Sequence, residues 1–223
     1  GSNWNGRVNL KLSLLRYFER FHLGGGIEFM HFSNGCITNP NLGLNSPSIF
    51  AQIGYNASQR QLAPGRTQLV KTMLNQPHNL TAEFIGSVKE IGAIPYTPKR
   101  YPVLAARLGY TYSKCGLWGA ELALDIIHNE SNFHKYSDTT FVRSDILQLG
   151  LYGGTYVTFF KSQIAFGVGW YMRDHINAEG RCYNRIGYRY YFKPNWFALF
   201  NIKANYAKAD YFEFGIGYKF WKG

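Results

Sequence analysis

Apolar and polar residues alternate with a period of two along most of this chain, and few folds can use that pattern over so many segments. Eleven strands are predicted, roughly at 7–16, 20–33, 47–57, 81–92, 101–113, 116–129, 144–158, 162–174, 181–192, 195–206 and 210–221. Each has one apolar face and one mixed or polar face. In 116–129, Trp118, Ala120, Leu122, Leu124 and Ile126 share a face, with Glu121 and Asp125 opposite. In 181–192, Ile186, Tyr188, Tyr190 and Phe192 alternate with Arg185, Gly187 and Arg189. Helical periodicity is hard to find. No run approaches the ~18 apolar residues of a transmembrane helix. An aromatic share of 17% excludes disorder, and together with 24 Gly it argues against an ordinary soluble helical enzyme.

Such strands have two physical readings. A soluble sandwich or lipocalin-type barrel buries the apolar face inside. A transmembrane barrel turns it toward lipid and lines its interior with polar groups. The second is favoured. The strands are long enough to cross a bilayer at a tilt. Aromatics crowd strand ends (Tyr101, Tyr112, Trp118, Tyr190, Tyr191, Phe192, Trp196, Tyr206, Tyr211, Phe220, Trp221), which suits two interfacial girdles. The polar faces carry charges of both signs: Glu28, Arg107, Glu121, Asp125, Arg185, Arg189, Lys203 and Glu213. A barrel interior can pair these, whereas a soluble hydrophobic core cannot hold so many. The predicted fold is therefore all-β: an antiparallel transmembrane β-barrel of about eleven visible strands, in the bacterial outer membrane.

Loop lengths alternate as in outer-membrane barrels. Turns near 17–20, 114–115, 159–161 and 193–195 are short, and the connections 34–46, 93–100, 130–143 and 175–180 are longer. The stretch 58–80 breaks this rule and suggests a periplasmic helix or flap. Bacterial single-chain barrels have even strand numbers. An odd count of eleven predicts one barrel domain over 1–223 that lacks an N-terminal portion, with twelve or more strands in the full chain. A missed strand within 58–80 is the alternative.

The second strand ends in Phe29-Met30-His31-Phe32-Ser33-Asn34-Gly35, followed by Asn39-Pro40-Asn41-Leu42-Gly43-Leu44-Asn45. His31 and Ser33 share one face and extend the stripe of Phe21, Leu23, Gly25, Ile27 and Phe29 that is assigned to lipid. Polar side chains there suggest interfacial chemistry. A Ser hydroxyl needs an adjacent base to become a nucleophile. Imidazole titrates near neutrality and can take the proton. A third group must orient that base, and Asn45, on the loop into the next strand, is the candidate. The Asn34-Gly35 turn offers a side-chain amide and backbone N–H groups for an oxyanion. By spacing alone these are ordinary strand and turn residues.

The segment resembles the signature of the outer-membrane lipid A 3-O-deacylases (the PagL type) and the wider acyloxyacyl hydrolase family. That signature is a strand ending in His-x-Ser-Asn-Gly/Ala, then a Pro-Asn-x-Gly loop. It stands here as His31-Phe32-Ser33-Asn34-Gly35 and Pro40-Asn41-Leu42-Gly43. The resemblance implies Ser33 as nucleophile, His31 as base and Asn34 as oxyanion donor. Characterised members carry a Glu as third group, and Asn45 stands at that place. The segments 183–190 and 208–220 are similar to closing strands of the larger Bacteroidetes-like members. The opening Gly1-Ser2-Asn3-Trp4-Asn5-Gly6 resembles a strand start found mid-chain in them.

The resulting expectation is a carboxylic ester hydrolase that removes an acyl chain from lipid A in the outer leaflet and needs no metal or organic cofactor. A homodimer remains open. The rivals are a non-catalytic outer-membrane barrel (a pore or structural protein) that keeps the motif, and a soluble barrel for a hydrophobic ligand. Cys36, Cys115 and Cys182 suggest neither a disulfide framework nor a zinc site. His22, His78, His128, His134 and His175 form no metal-ligand pattern in sequence. The net charge of +11 is dispersed without a nucleic-acid motif and fits lipid phosphates instead, with Arg60, Arg66, Lys71, Lys99 and Arg100 in the densest segments.

Overall fold

The computed structural model describes residues 6–18, 20–33, 43–55, 77–91, 99–114, 116–135, 142–177, 180–206 and 208–222. Eleven strands form among them. They are β1 Gly6–Tyr17, β2 Phe21–Ser33, β3 Leu44–Tyr55, β4 His78–Glu90, β5 Arg100–Tyr112, β6 Trp118–Asn129, β7 Leu147–Phe159, β8 Ser162–Arg173, β9 Cys182–Tyr191, β10 Trp196–Asn205 and β11 Lys208–Lys222. A short α-helix, α1 Glu130–Lys135, follows β6, and a 3-10 turn, Arg143–Ile146, precedes β7. Among the described residues no helix is long and apolar enough to cross a membrane. The expected strands are all present, with ends shifted by up to three residues.

Their arrangement differs from one barrel of eleven. Strands β4 to β11 close on themselves, because β11 returns beside β4 with Phe214 opposite Gly86 and Tyr218 opposite Ala82. Strands β1 to β3 form a separate sheet in the order β1-β2-β3. Eight is an even number, as in single-chain bacterial barrels. The expected periplasmic helix or flap at 58–80 lies almost wholly outside the described residues.

An eight-stranded barrel has an interior just wide enough for side chains to fill. Here they fill it with paired charges. Arg107 Nη2 lies 2.6 Å from Glu121, and Arg189 Nη1 donates to the same carboxylate at 2.9 Å. Arg185 bridges Asp125 at 3.0 Å and Glu213 at 2.7 Å. Lys203 donates to Asp210 at 3.0 Å, and Lys89 pairs with that carboxylate too. The Arg107 guanidinium sits 4.1 Å from the Tyr152 ring centroid. Arg185, Asp125, Lys203 and Glu213 are each at most 2% exposed. Among the described residues these side chains pack against one another and fill the interior.

Large aromatics fit inside only where the facing strand gives up a side chain. The Tyr183 ring lies where a Cβ on Gly169 would be. We expect Gly169→Ala to cost about 1–3 kcal/mol by overpacking, measured by urea titration of the folded barrel.

The outer surface is the inverse of a soluble protein's. Leu108, Leu122, Ile164, Phe166, Phe214 and Ile216 stand exposed on β5, β6, β8 and β11, as a lipid-facing band requires. Trp118, Phe192, Trp196, Phe220 and Trp221 gather at the short-turn end. The opposite end is sparser, with Trp170 and Tyr206. Two residues expected in the girdles point inward instead: Tyr191 is 5% exposed and Tyr211 1%. Strand parity explains both. Tyr191 shares a face with Arg189 and Tyr211 with Glu213, and those charges are interior.

Candidate functional site

Register builds the site on the three-stranded sheet. In antiparallel pairing, directly opposed residues share a face. Ile27 of β2 stands between Leu12 of β1 and Ile49 of β3, and Phe29 stands between Leu10 and Pro47. The next row is Val8, His31 and Asn45. One face is thus an exposed apolar stripe that ends in a polar row. The other carries Asn9, Lys11, Glu28, Ser48 and Gln52, tied together by hydrogen bonds. Asn9 donates to Glu28, and Lys11 Nζ donates to Gln52 at 3.4 Å and lies 3.8 Å from the Phe50 ring centroid. Glu28, expected with the interior charges, therefore belongs to this polar face and not to the closed barrel.

The structure brings His31 and Asn45 together. Their backbones are opposed across β2 and β3, and His31 Nδ1 hydrogen-bonds Asn45 Oδ1 at 2.7 Å. With the amide oxygen as acceptor, Nδ1 carries the proton and Nε2 is the basic nitrogen. Ser33 ends β2 opposite Gly6, two residues beyond His31 in sequence. Asn34 and Gly35 lie outside the described residues.

Gly43 takes a part that sequence reasoning left to turn chemistry. A Cβ there would stand 3.0 Å from His31 Cε1 and 3.7 Å from Nε2. The backbone at Gly43 thus packs against the edge of the imidazole that bears its basic nitrogen. The glycine of the Pro-Asn-x-Gly loop was the available signal.

At the long-loop end of the barrel, two histidines read as scattered converge on one carboxylate. His128 Nε2 lies 3.2 Å and His134 Nε2 3.6 Å from Glu130, and Arg143 reaches it at 3.3 Å. Tyr101 stacks on His134 with ring centroids 4.2 Å apart. Of the expected basic loop residues, Lys99 and Arg100 are described, with Arg100 3.7 Å from Glu90. Among the described residues no group of His, Cys, Asp and Glu is placed to hold a metal ion.

Comparison with known proteins adds a family. The model of the "Acyloxyacyl hydrolase, C-terminal domain" matches residues 78–222, which is the closed barrel from its first strand to its last. No curated protein matches the chain. Among solved structures, a triple mutant of the Rhodopseudomonas blastica porin aligns at 10% identity and a TM-score of 0.26, covering 97% of this chain and 91% of the porin. Another mutant of that porin aligns at 11% identity with the same score and coverage. These scores are too low to support an argument.

Proposed function

The chain belongs to the acyloxyacyl hydrolase family, matching its C-terminal domain over residues 78–222, and from that premise we propose that it is an outer-membrane serine esterase that removes an ester-linked acyl chain from lipid A. The observation that carries the reading is the 2.7 Å bond between His31 Nδ1 and Asn45 Oδ1. It gives an imidazole beside Ser33 a fixed tautomer, on a face otherwise fit for lipid.

In this reading the Ser33 hydroxyl attacks the ester carbonyl while His31 Nε2 takes its proton. Donors from Asn34 and the Gly35 amide hold the resulting oxyanion. His31 returns the proton to the departing sugar oxygen, leaving the acyl chain on Ser33. Water then enters by the same path in reverse roles and frees the fatty acid. Asn45 orients the imidazole but places no full charge beside the imidazolium, a weaker arrangement than a carboxylate gives. The site needs no metal or organic cofactor. Its substrate is lipopolysaccharide of the outer leaflet, reached from the apolar face of the three-stranded sheet.

The experiment is mass spectrometry of lipid A from cells with and without the full-length protein. Loss of one hydroxyacyl chain, with its appearance as free acid, is the expected result. Unchanged lipid A would instead favour a non-catalytic barrel keeping the motif, a reading that the amide at position 45 supports. Two substitutions examine the positioning of His31. Asn45→Asp is expected to retain or raise kcat. Gly43→Ala, which crowds the imidazole, is expected to lower kcat about tenfold or more, since small displacements of catalytic groups are expensive. Both are measured by release of hydroxy fatty acid from purified lipopolysaccharide.

A further inference from the structure

The apolar face below the polar row is not flat. A cleft of about 730 Å³ opens there, lined by Leu10, Leu12, Ile27, Phe29, Pro47 and Ile49, with Lys11, Glu28 and Ser48 between the two rows. That volume falls in the range of small-molecule sites, about 300–1,000 Å³. Its upper row, Leu10, Phe29 and Pro47, directly adjoins Val8, His31 and Asn45 on the same face. Resting on the esterase reading, we infer that this cleft seats the acyl chain whose ester is cleaved at Ser33, and that its length selects which chain is released.

Three observations commit the cleft to that occupant. It is apolar in its side-chain walls, so it offers nothing to a sugar or phosphate. It runs along the strands away from the His31 row, the direction an acyl chain takes from the headgroup level into the membrane. Its lining ends at the row of Leu12, Ile27 and Ile49. Beyond that row stand the small Gly25 and Ala51, with Leu14 opposite Gly25 on β1, and then Leu23 and Ile53. Strands advance about 3.4 Å per residue. Thus Ile27 lies roughly 14 Å and Gly25 roughly 20 Å from the level of His31. With C–C bonds near 1.5 Å, an extended chain advances roughly 1.25 Å per carbon. The two levels then match about eleven and about sixteen carbons. The Gly25–Ala51 row admits the tail of a long chain, and Leu23 with Ile53 stops it.

The test uses full-length protein in liposomes of lipopolysaccharide and synthetic esters of 3-hydroxydecanoic and 3-hydroxytetradecanoic acid. Ile49→Trp should lower release of the longer acid at least tenfold relative to the shorter one, while Ala51→Leu should penalise the longer acid alone. Phe214→Trp, on the closed barrel's outer face, should change neither. Release by Ile49→Trp with the wild-type length profile overturns the cleft and leaves the esterase reading standing. If the wild-type protein releases nothing, the esterase reading fails, and a second measurement judges the cleft. The probe is a 3-hydroxytetradecanoyl ester with a terminal diazirine, photolysed on Ser33→Ala protein. Labelling concentrated around Gly25, Ala51, Leu23 and Ile53 supports the cleft. Labelling spread evenly over the apolar exterior overturns it.

Discussion

Ser33→Ala is expected to abolish release of hydroxy fatty acid from lipopolysaccharide, with a fall in kcat on the order of 10⁴-fold or more. The size follows from how such groups act together. A nucleophile and its base form one unit, so removing either costs nearly as much as removing both. His31→Ala is therefore expected to fall to a similar level, and the double variant no further. The measurement is mass-spectrometric quantification of free acid, with folding checked by the heat-dependent gel shift of intact barrels. A folded Ser33→Ala protein with wild-type rate would remove Ser33 from the chemistry. A double variant much slower than either single one would show that the two residues act separately. Asn45→Ala is expected to be milder, because the imidazole keeps its place on β2 and loses only the acceptor at 2.7 Å.

The strands and their faces were legible in the sequence because a side-chain period of two is a local property. Trp118 and Phe166 are exposed, and Glu121 and Arg185 buried, as alternation predicts. The interior pairing of Glu121 and Asp125 with Arg107, Arg185 and Arg189 followed from charge alone. Where aromatics run together, as at Tyr190-Tyr191-Phe192, composition could not say which ring faces lipid. Counting two residues on from Arg189 would have placed Tyr191 inside. The division into eight strands and three was not legible. It depends on β11 meeting β4, a pairing between residues 79–86 and 214–222, while β1 to β3 carry the same local alternation as the barrel strands. The His31–Asn45 contact was foreseen from the motif. The backing of the imidazole by Gly43 was not, since a loop glycine reads first as turn chemistry.

Arg185→Met is expected to destabilise the closed barrel by about 3–5 kcal/mol, the usual cost of removing one partner from a buried ion pair. That is a large fraction of the roughly 5–15 kcal/mol that holds a typical domain together. Arg185 is 2% exposed and donates to two carboxylates at once. Without it, Asp125 keeps the Tyr183 hydroxyl and Arg107 at 3.6 Å, and Glu213 keeps only the Asn201 amide at 2.9 Å among its hydrogen bonds. Glu213 then loses the cation it pairs with, and Asp125 keeps Arg107 at 3.6 Å, in a buried interior. The penalty comes from those stranded carboxylates more than from the lost attraction, and this yields a second arm. Arg185→Met combined with Asp125→Asn and Glu213→Gln should recover most of the loss, because neutral polar groups are cheaper to bury than unpaired charges. Urea titration in detergent reads both variants. Wild-type stability for Arg185→Met alone would mean that the interior is hydrated, and the packed barrel described above would be the wrong picture.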